Sequence, residues 1–332
     1  MEKDRKLDHI NLSLQSQTPG SSADQRFWYE PILSAHPSTQ NLEVGFLKKT
    51  MKAPLWISSM TGGTQMARTI NHNLSMACKE FGLGMGLGSC RKILEDNTHF
   101  EDFNLRPIMG DDLPLFANLG IAQVEYLLKD QKFHLADQLI DKLNADGLIV
   151  HINPMQEWMQ PEGDLVTEDP LTTIKKVLDH VKYPIIVKEV GQGFGPESLR
   201  QLLKLPLAAI DFGAYGGTNF SLVELFRRDE PEKQKYEPMV RIGHTADDML
   251  NIINNLVSSG ATIECKQLII SGGIQTYLDG YYLIAKSQLP AIYAQASAFL
   301  KHSQGEYEPL RKFVAGQIEG YKMAHAFLKV RK

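Results

Sequence analysis

The stretch of this 332-residue chain that is richest in chemically useful side chains is HINPMQEWMQPEGD, from His151 to Asp164. It follows an apolar segment and combines a histidine, an asparagine, two glutamines, two glutamates and an aspartate. Glu157 is a candidate Mg²⁺ ligand, because this cation usually takes one or two carboxylates together with phosphate oxygens and water. The alternative is a solvated loop that turns at 161–163, in which His151 is only a hydrogen-bonded residue at the rim.

Glycine-rich motifs are candidate phosphate-binding sites, because glycine lets backbone N–H groups approach phosphate oxygens closely. The motifs are Ser59–Gly63, Gly216–Thr218 and Ser271–Gly273. Each follows an apolar run, and the last of them follows the seventh such run, where barrel enzymes commonly bind phosphate. The alternative is a set of tight turns. Since the chain has no GxGxxG or GxxxxGK[ST] motif, a Rossmann or P-loop site is not expected.

Lys188 ends an apolar run, where a lysine needs an anionic partner or a functional reason. A reduced flavin, which carries negative charge near N1 and the C2 carbonyl, is a suitable neighbour, and a structural pair with Glu189 or Asp211 is the alternative. Further cationic groups occur at Arg5-Lys6, followed by His9, and at Arg91-Lys92. Such pairs are ordinarily solvated surface, but folded over one pocket they would suit a diphosphate.

These candidates fall at the ends of short apolar runs that alternate with amphipathic segments. The runs predicted as strands are 55–59, 83–87, 115–118, 147–152, 185–190, 208–212, 268–271 and 291–294. They are continuous and rich in Ile, Val and Leu, as strands covered on both faces should be. Helices are predicted at 172–181, 245–256 and 305–327. Eight such units favour a single-domain (β/α)₈ TIM barrel over residues 51–332, preceded by an irregular arm at 1–50; a doubly wound sheet is the alternative.

Composition narrows the possible partners. The net charge of −4 gives no overall attraction to nucleic acid or to an anionic membrane. Three scattered cysteines suit neither a disulfide framework nor a zinc site. The charged first residues lack the apolar core of a signal peptide, and no apolar run approaches eighteen residues. A cytoplasmic protein is therefore expected.

Taken in order, the sequence motifs resemble those of type 2 isopentenyl-diphosphate isomerase over essentially the whole chain. The matching motifs are RKLDHI at 5–10, MTGG at 60–63, GSCR at 88–91, NLG at 118–120, the 151–164 stretch, VKEVG at 187–191, GGT at 216–218 and SGGI at 271–274. The resemblance implies a barrel that interconverts isopentenyl and dimethylallyl diphosphate using reduced FMN, with NADPH as reductant, and Mg²⁺. It also implies a homo-oligomer, a tetramer or octamer.

The resemblance implies functional roles for particular residues of this chain. FMN would be bound by Ser59, Met60, Thr61, Ser89, Asn118, Lys188, Thr218, Gly272, Gly273, Ala294 and Gln295. The substrate would be contacted by Arg5, Lys6, His9, Arg91, His151, Asn153 and Gln156. Glu157 would bind Mg²⁺. Our mechanistic hypothesis adds a catalytic role for Gln156, which orients the substrate or relays a proton beside the flavin N5.

Some positions depart from the family pattern. Cys90 replaces a glutamine on the substrate side, Gln275 stands where arginine is usual, and Phe220 stands where tryptophan is common. Ala294 and Ser297-Ala298 depart from the usual glycine and proline. These differences bear more on FMN affinity than on the reaction. Alternatives are a 2-hydroxyacid oxidase-like FMN barrel, which needs a histidine base and a nearby arginine, and a barrel that binds phosphorylated ligands without catalysis.

Overall fold

The structure, a computed structural model, describes residues 5–38, 40–59, 61, 65–94 and 96–331, and a closed barrel of parallel strands lies at its centre. The strands are β1 (Phe27–Tyr29), β2 (Val44–Phe46), β3 (Lys49–Met51), β4 (Leu55–Ile57), β5 (Gly84–Gly86), β6 (Leu115–Gly120), β7 (Gly147–Ile152), β8 (Ile185–Glu189), β9 (Ala209–Asp211), β10 (Leu268–Ile270), β11 (Ala291–Gln295) and β12 (Leu328–Val330). Strands β4 to β11 pair in parallel with their neighbours, and β11 pairs with β4. The predicted (β/α)₈ barrel and its strand positions are confirmed, and closure excludes a doubly wound sheet.

Helices surround the barrel. They are α1 (Arg5–Ser13), α2 (Gln65–Phe81), α3 (Arg106–Met109), α4 (Ile121–Lys129), α5 (His134–Leu143), α6 (Pro154–Met159), α7 (Pro170–His180), α8 (Pro196–Leu203), α9 (Phe220–Phe226), α10 (Glu230–Val240), α11 (Ala246–Ser258), α12 (Tyr277–Lys286), α13 (Ser297–Ser303) and α14 (Tyr307–Phe327). The helices expected at 172–181, 245–256 and 305–327 are present as α7, α11 and α14. None of the described helices is long and apolar enough to cross a bilayer.

The barrel interior is filled by apolar side chains, as close packing of a small barrel requires. The indole of Trp56 is fully buried and lies 5.3 Å from the ring of Phe46 and 6.2 Å from that of Phe116, between ring centroids. Phe46 belongs to the antiparallel β2–β3 hairpin, whose turn is held by a hydrogen bond from the Leu47 N–H to the Gln267 side chain. Because Gln267 directly precedes β10, the hairpin covers the amino-terminal end of the barrel and leaves the carboxyl end open.

The first fifty residues contain both exposed and anchored segments. Every residue of α1 is exposed, whereas β1 pairs antiparallel with β12 near the end of the chain. Arg26, just before β1, forms a 2.7 Å ion pair with Asp279 of α12. The division into an arm at 1–50 and a barrel at 51–332 stays a prediction, and the β2–β3 hairpin packs into the barrel from across that boundary.

Candidate active site at the barrel mouth

A cavity of about 700 Å³ lies at the carboxyl ends of the barrel strands. Parallel strands bring all their carboxyl ends to one rim of the barrel, so polar motifs that are far apart in the sequence meet there. The residues expected to bind FMN that line this cavity are Ser59, Ser89, Asn118, Lys188, Thr218, Gly272, Gly273, Ala294 and Gln295. His151 and Gln156, expected on the substrate side, line it as well.

Other expected site residues lie elsewhere. Met60 is outside the described residues. Thr61 does not line the cavity. Its backbone lies directly behind Gly88, which does line it: a Cβ on Gly88 would lie 2.5 Å from the Thr61 carbonyl. Arg5, Lys6 and His9 are exposed on α1 and do not line the cavity. The structure therefore brings together the flavin-side candidates more completely than the diphosphate-side ones.

Several polar atoms of the wall are buried without a partner among the described residues. They are the hydroxyl oxygens of Ser58 and Ser59 and the amide oxygen Oε1 of Gln295. A buried polar atom without a hydrogen bond destabilises the folded protein by about 1–3 kcal/mol, so such atoms in a cavity wall point to a polar ligand. Ser58 was not singled out in the sequence, where a serine at a strand end carries no signal of its own.

The glycine-rich segments 216–217 and 272–273 pack against each other and form part of the cavity wall. Gly272 has φ +87°, and a Cβ there would lie 2.1 Å from the Ala214 carbonyl oxygen. A Cβ on Gly217 would lie 3.1 Å from the Gly273 nitrogen and would cover its N–H. The backbone N–H groups of Gly272 and Gly273 have no backbone acceptor in the described structure. Oriented, unpaired N–H groups of this kind make an anion-binding concavity.

Lys188 reaches the cavity from β8 and is only 8% exposed. Its ammonium donates a 2.7 Å hydrogen bond to the Glu189 carbonyl and lies 3.9 Å from Oδ2 of Asp211 on β9. Asp211 is fully buried; burial raises the pKa of its carboxyl, and the lysine charge opposes that shift. Its other oxygen accepts a hydrogen bond from the Ser271 hydroxyl. The lysine is thus both paired with Asp211 and available to a ligand.

Glu189, the other candidate partner of Lys188, has a different role. Its carboxylate accepts hydrogen bonds of 2.6–2.8 Å from the backbone N–H groups of Gly191, Gln192 and Gly193. Burial raises the pKa of this carboxyl, while the three N–H groups act in the opposite direction. Glu189 therefore fixes the loop after β8, whose residues Val190 and Gly191 form part of the cavity wall.

Gln156 connects the cavity to a network of buried carboxylates. Its Nε2 donates to Glu224 of α9 at 3.1 Å, and its Oε1 accepts from Asn153 Nδ2 at 3.2 Å. Glu224 also forms a 2.5 Å ion pair with Arg227. Sequence reasoning missed Glu224, although a single carboxylate in the otherwise largely apolar FSLVELF helix was the available signal. These contacts hold the Gln156 side chain in one orientation at the cavity wall.

Glu157 is buried beside Gln156 but does not itself line the cavity. One of its oxygens accepts from Asn153 Nδ2 and the other from the Asp164 N–H, both at 2.9 Å. The amide oxygen of Asn153 is buried and has no hydrogen-bond partner among the residues that the structure describes. No cluster of three or more His, Cys, Asp or Glu able to hold a metal occurs in the described ranges. Mg²⁺ usually takes one or two carboxylates from a protein and completes its coordination with phosphate oxygens and water, so the Glu157 carboxylate is of a suitable donor type.

Arg91 and Cys90 follow β5 on the substrate side. Arg91 forms a 2.5 Å ion pair with Asp164 and does not line the cavity. Cys90 is fully buried, its thiol donates to the Gly88 carbonyl at 3.4 Å, and burial raises the pKa of that thiol to about 12. The side chain that replaces the family's glutamine thus packs inward rather than facing a ligand.

Curated isopentenyl-diphosphate delta-isomerases align with most of the chain. The protein from Rickettsia typhi is 35% identical over 282 residues, 83% of this chain and 80% of the relative. That from Rickettsia africae is 32% identical over 328 residues, 97% and 92% of the two chains. That from Oceanobacillus iheyensis is 35% identical over 281 residues, 83% and 78%.

The chain belongs to the type 2 isopentenyl-diphosphate delta-isomerase family. It is therefore an enzyme, an isomerase that shifts a carbon–carbon double bond, and not a barrel that only binds phosphorylated ligands. No family model matches the chain.

Solved structures resemble this isomerase at the level of the fold. A mandelate oxidase mutant with a monooxide FMN adduct superposes with a TM-score of 0.56 at 12% identity, covering 92% of this chain and 88% of the oxidase. A flavocytochrome b2 mutant with benzoylformate gives a TM-score of 0.63 at 11% identity, covering 92% and 76%. Such low identity shows the fold alone. The segment from Asp211, the last residue of β9, to Thr218 contains neither histidine nor arginine, which disfavours the 2-hydroxyacid oxidase alternative.

Proposed function

We propose that this isomerase interconverts isopentenyl and dimethylallyl diphosphate with reduced FMN bound in the barrel-mouth cavity and Mg²⁺ on the diphosphate. The observation that carries the proposal is the combination of unpartnered polar atoms and unpaired glycine N–H groups in one cavity of about 700 Å³. A cavity of that size suits a drug-sized cofactor, since ligand pockets typically measure about 300–1,000 Å³. The FMN adduct of the mandelate oxidase, a neighbour in fold, is consistent with it.

The residues proposed to hold FMN come from both sides of the barrel. Ser59, Ser89 and Asn118 offer hydroxyl and amide groups along β4–β6, and Lys188 offers a cation on β8. Gly272 and Gly273 offer backbone N–H groups to the phosphate, together with Thr218, Ala294 and Gln295 on the same wall. Met60 and Thr61 are further expected contacts that do not form part of the described wall.

The reaction needs a strong, well-placed proton donor, because an unactivated alkene is a very weak base. When bound, reduced FMN would supply this acid and base chemistry at N5. The protein must exclude water from the alkene and hold it beside the flavin. Gln156, fixed by Glu224 and Asn153, is proposed to orient the reacting end of the substrate or to relay the proton.

The diphosphate is proposed to be held by a metal and a group of cationic and polar side chains. Glu157 is proposed to bind Mg²⁺, with phosphate oxygens and water completing its coordination, and Asn153 is proposed to contact the substrate. His151, two residues before Asn153, lines the cavity. Arg91 and the α1 residues Arg5, Lys6 and His9 are the cations proposed to join the diphosphate. NADPH as the reductant, a cytoplasmic setting and assembly into a tetramer or octamer are further parts of the proposal.

The deciding experiment is anaerobic conversion of isopentenyl diphosphate by the purified protein. We expect dimethylallyl diphosphate to form with FMN that has been reduced by NADPH or light, to require Mg²⁺, and to be absent with oxidised FMN. Equal conversion without flavin would refute the cofactor role, and full activity in excess chelator would refute the metal role. Either result would still show isomerisation and would change only the role given to FMN or to Mg²⁺.

A further inference from the structure

The cavity wall contains a cation that the sequence did not single out. Ser297, Ala298 and Lys301 of α13 all line the cavity. Residues three and four apart share one helix face, so Lys301 lies on the same side of α13 as the two smaller residues. An exposed lysine in a helix is usually a solvated surface residue, and its place in the wall becomes visible only in the folded barrel.

Lys301 belongs to the part of the wall formed by the glycine-rich turn after β10. The Nε2 of Gln295, at the end of β11, donates to the carbonyls of Ile274 and Gln275 at 3.2 and 3.3 Å. This links the end of β11 to the 272–275 turn, and α13 begins two residues after Gln295. Gly272, Gly273 and Lys301 thus line one continuous wall of the cavity.

The two lysines of the wall differ in how far their charge is already compensated. Lys188 is held by the Glu189 carbonyl and faces the Asp211 carboxylate at 3.9 Å. No ion pair or hydrogen bond of Lys301 occurs in the described part of the chain. Gln275, on the same wall, is uncharged. A phosphate is attracted most strongly to an uncompensated cation beside free N–H donors.

We infer that Lys301 binds the terminal phosphate of the flavin nucleotide and is the residue that makes the cavity prefer FMN to riboflavin. The inference rests on the proposed function, because it assumes that the cavity holds a flavin. It adds a positive charge to a phosphate site whose other proposed residues are uncharged.

Comparing FMN with riboflavin isolates the contribution of the phosphate to binding, since the two flavins differ only in that group. The dissociation constant of each oxidised flavin is measured by equilibrium dialysis of the full-length protein. Lys301→Gln is expected to weaken FMN binding about tenfold and to leave riboflavin binding unchanged. Added salt is expected to lower the FMN preference of the unaltered protein more than that of the variant. Unchanged riboflavin binding also shows that the variant is folded.

Two further variants complete the test. Lys301→Arg keeps the charge and is expected to keep most of the preference for FMN. Lys312→Gln removes the same charge from an exposed position on α14 and is expected to change neither constant. If Lys301→Gln keeps the full FMN preference, or Lys301→Arg loses as much as Lys301→Gln, the inference is overturned while the proposed function stands. If the unaltered protein binds neither flavin, both are overturned.

Discussion

Asn118 of β6 and His151 of β7 are joined across neighbouring strands by a hydrogen bond of 2.8 Å between the amide oxygen and the imidazole Nδ1. The Asn118 Nδ2 donates to the Leu87 carbonyl at 2.9 Å, so its oxygen must be the acceptor. His151 is therefore protonated at Nδ1 in its neutral form, which leaves Nε2 as a hydrogen-bond acceptor. Burial, with a smaller effect from Lys188, lowers the pKa of this imidazole to about 4.

This lowered pKa predicts a pH dependence of stability. In the unfolded chain His151 takes up a proton near its ordinary pKa of about 6.5, whereas in the folded protein it does so only near 4. The unfolded state thus binds more protons between these values, and folding stability falls as the pH falls from about 6.5 towards 4. We expect His151 to cost about 1–2 kcal/mol between pH 7 and pH 5.

Urea unfolding of the unaltered protein and of His151→Asn at pH 7 and pH 5 measures this contribution. The difference in unfolding free energy between the two pH values should be smaller in the variant. His99, which lies outside the cavity and is paired with Asp102, supplies a control as His99→Asn. An identical pH dependence in the unaltered protein and His151→Asn would show that His151 titrates normally in the fold.

The buried pair of Lys188 and Asp211 predicts a coupling of stabilities. Removing one partner leaves an uncompensated buried charge, so Lys188→Ala is expected to lower the free energy of unfolding by about 3 kcal/mol. Asp211→Asn removes that charge, and the double variant should recover part of the loss. Chemical denaturation of the two single variants and the double variant gives the coupling energy. Strictly additive effects would mean that the 3.9 Å approach carries no energetic coupling.

The position of Lys188 in the cavity predicts a separate effect on the cofactor. A cation beside the flavin favours the reduced form, which carries negative charge, so Lys188→Ala should weaken reduced FMN more than oxidised FMN. Flavin content after gel filtration, run anaerobically for the reduced form and aerobically for the oxidised form, measures both. Lys175→Ala, which changes an exposed lysine of α7 outside the cavity, is the control. Equal loss of both forms would assign Lys188 a structural role only.

Gln156 is expected to act on turnover rather than on cofactor binding. Its amide is fixed by Glu224 and Asn153 at the cavity wall, so Gln156→Ala should lower kcat by about 10²-fold, the range of a positioned proton-transfer group. The FMN dissociation constant should change little. Gln160→Ala, four residues further along and outside the cavity wall, is the matched control. Unchanged kcat in Gln156→Ala would exclude the orienting or relay role.

Glu157 is expected to control the response to Mg²⁺. Glu157→Gln can still accept the hydrogen bond from the Asp164 N–H but loses the negative charge that a hard cation requires. The Mg²⁺ concentration for half-maximal activity should rise at least about tenfold. Glu162→Gln changes an exposed carboxylate of the same segment and should leave it unaltered. The metal role would be refuted if both variants responded to Mg²⁺ like the unaltered protein.

The strands and the rim of the site could be predicted from the order of residues. Runs such as 147–152 and 185–190 are continuously apolar because both faces of a barrel strand are covered. Polar groups such as Asn118, His151 and Lys188 stand where those runs end. Since parallel strands bring their carboxyl ends to one rim, the meeting of these side chains followed from strand order once closure of the sheet was assumed.

Spatial convergence of other groups was decided only by tertiary structure. Glu224 reaches Gln156 because α9 packs against α6, and Lys301 enters the wall because α13 begins directly after β11. The ion pair of Arg91 with Asp164 likewise joins segments that are far apart in the sequence. The sequence by itself determined which residues lie at the strand ends, since local pattern and strand direction suffice for that. Which side chains face one another depends on helix packing and loop paths, because contacts between distant segments are set by the whole fold.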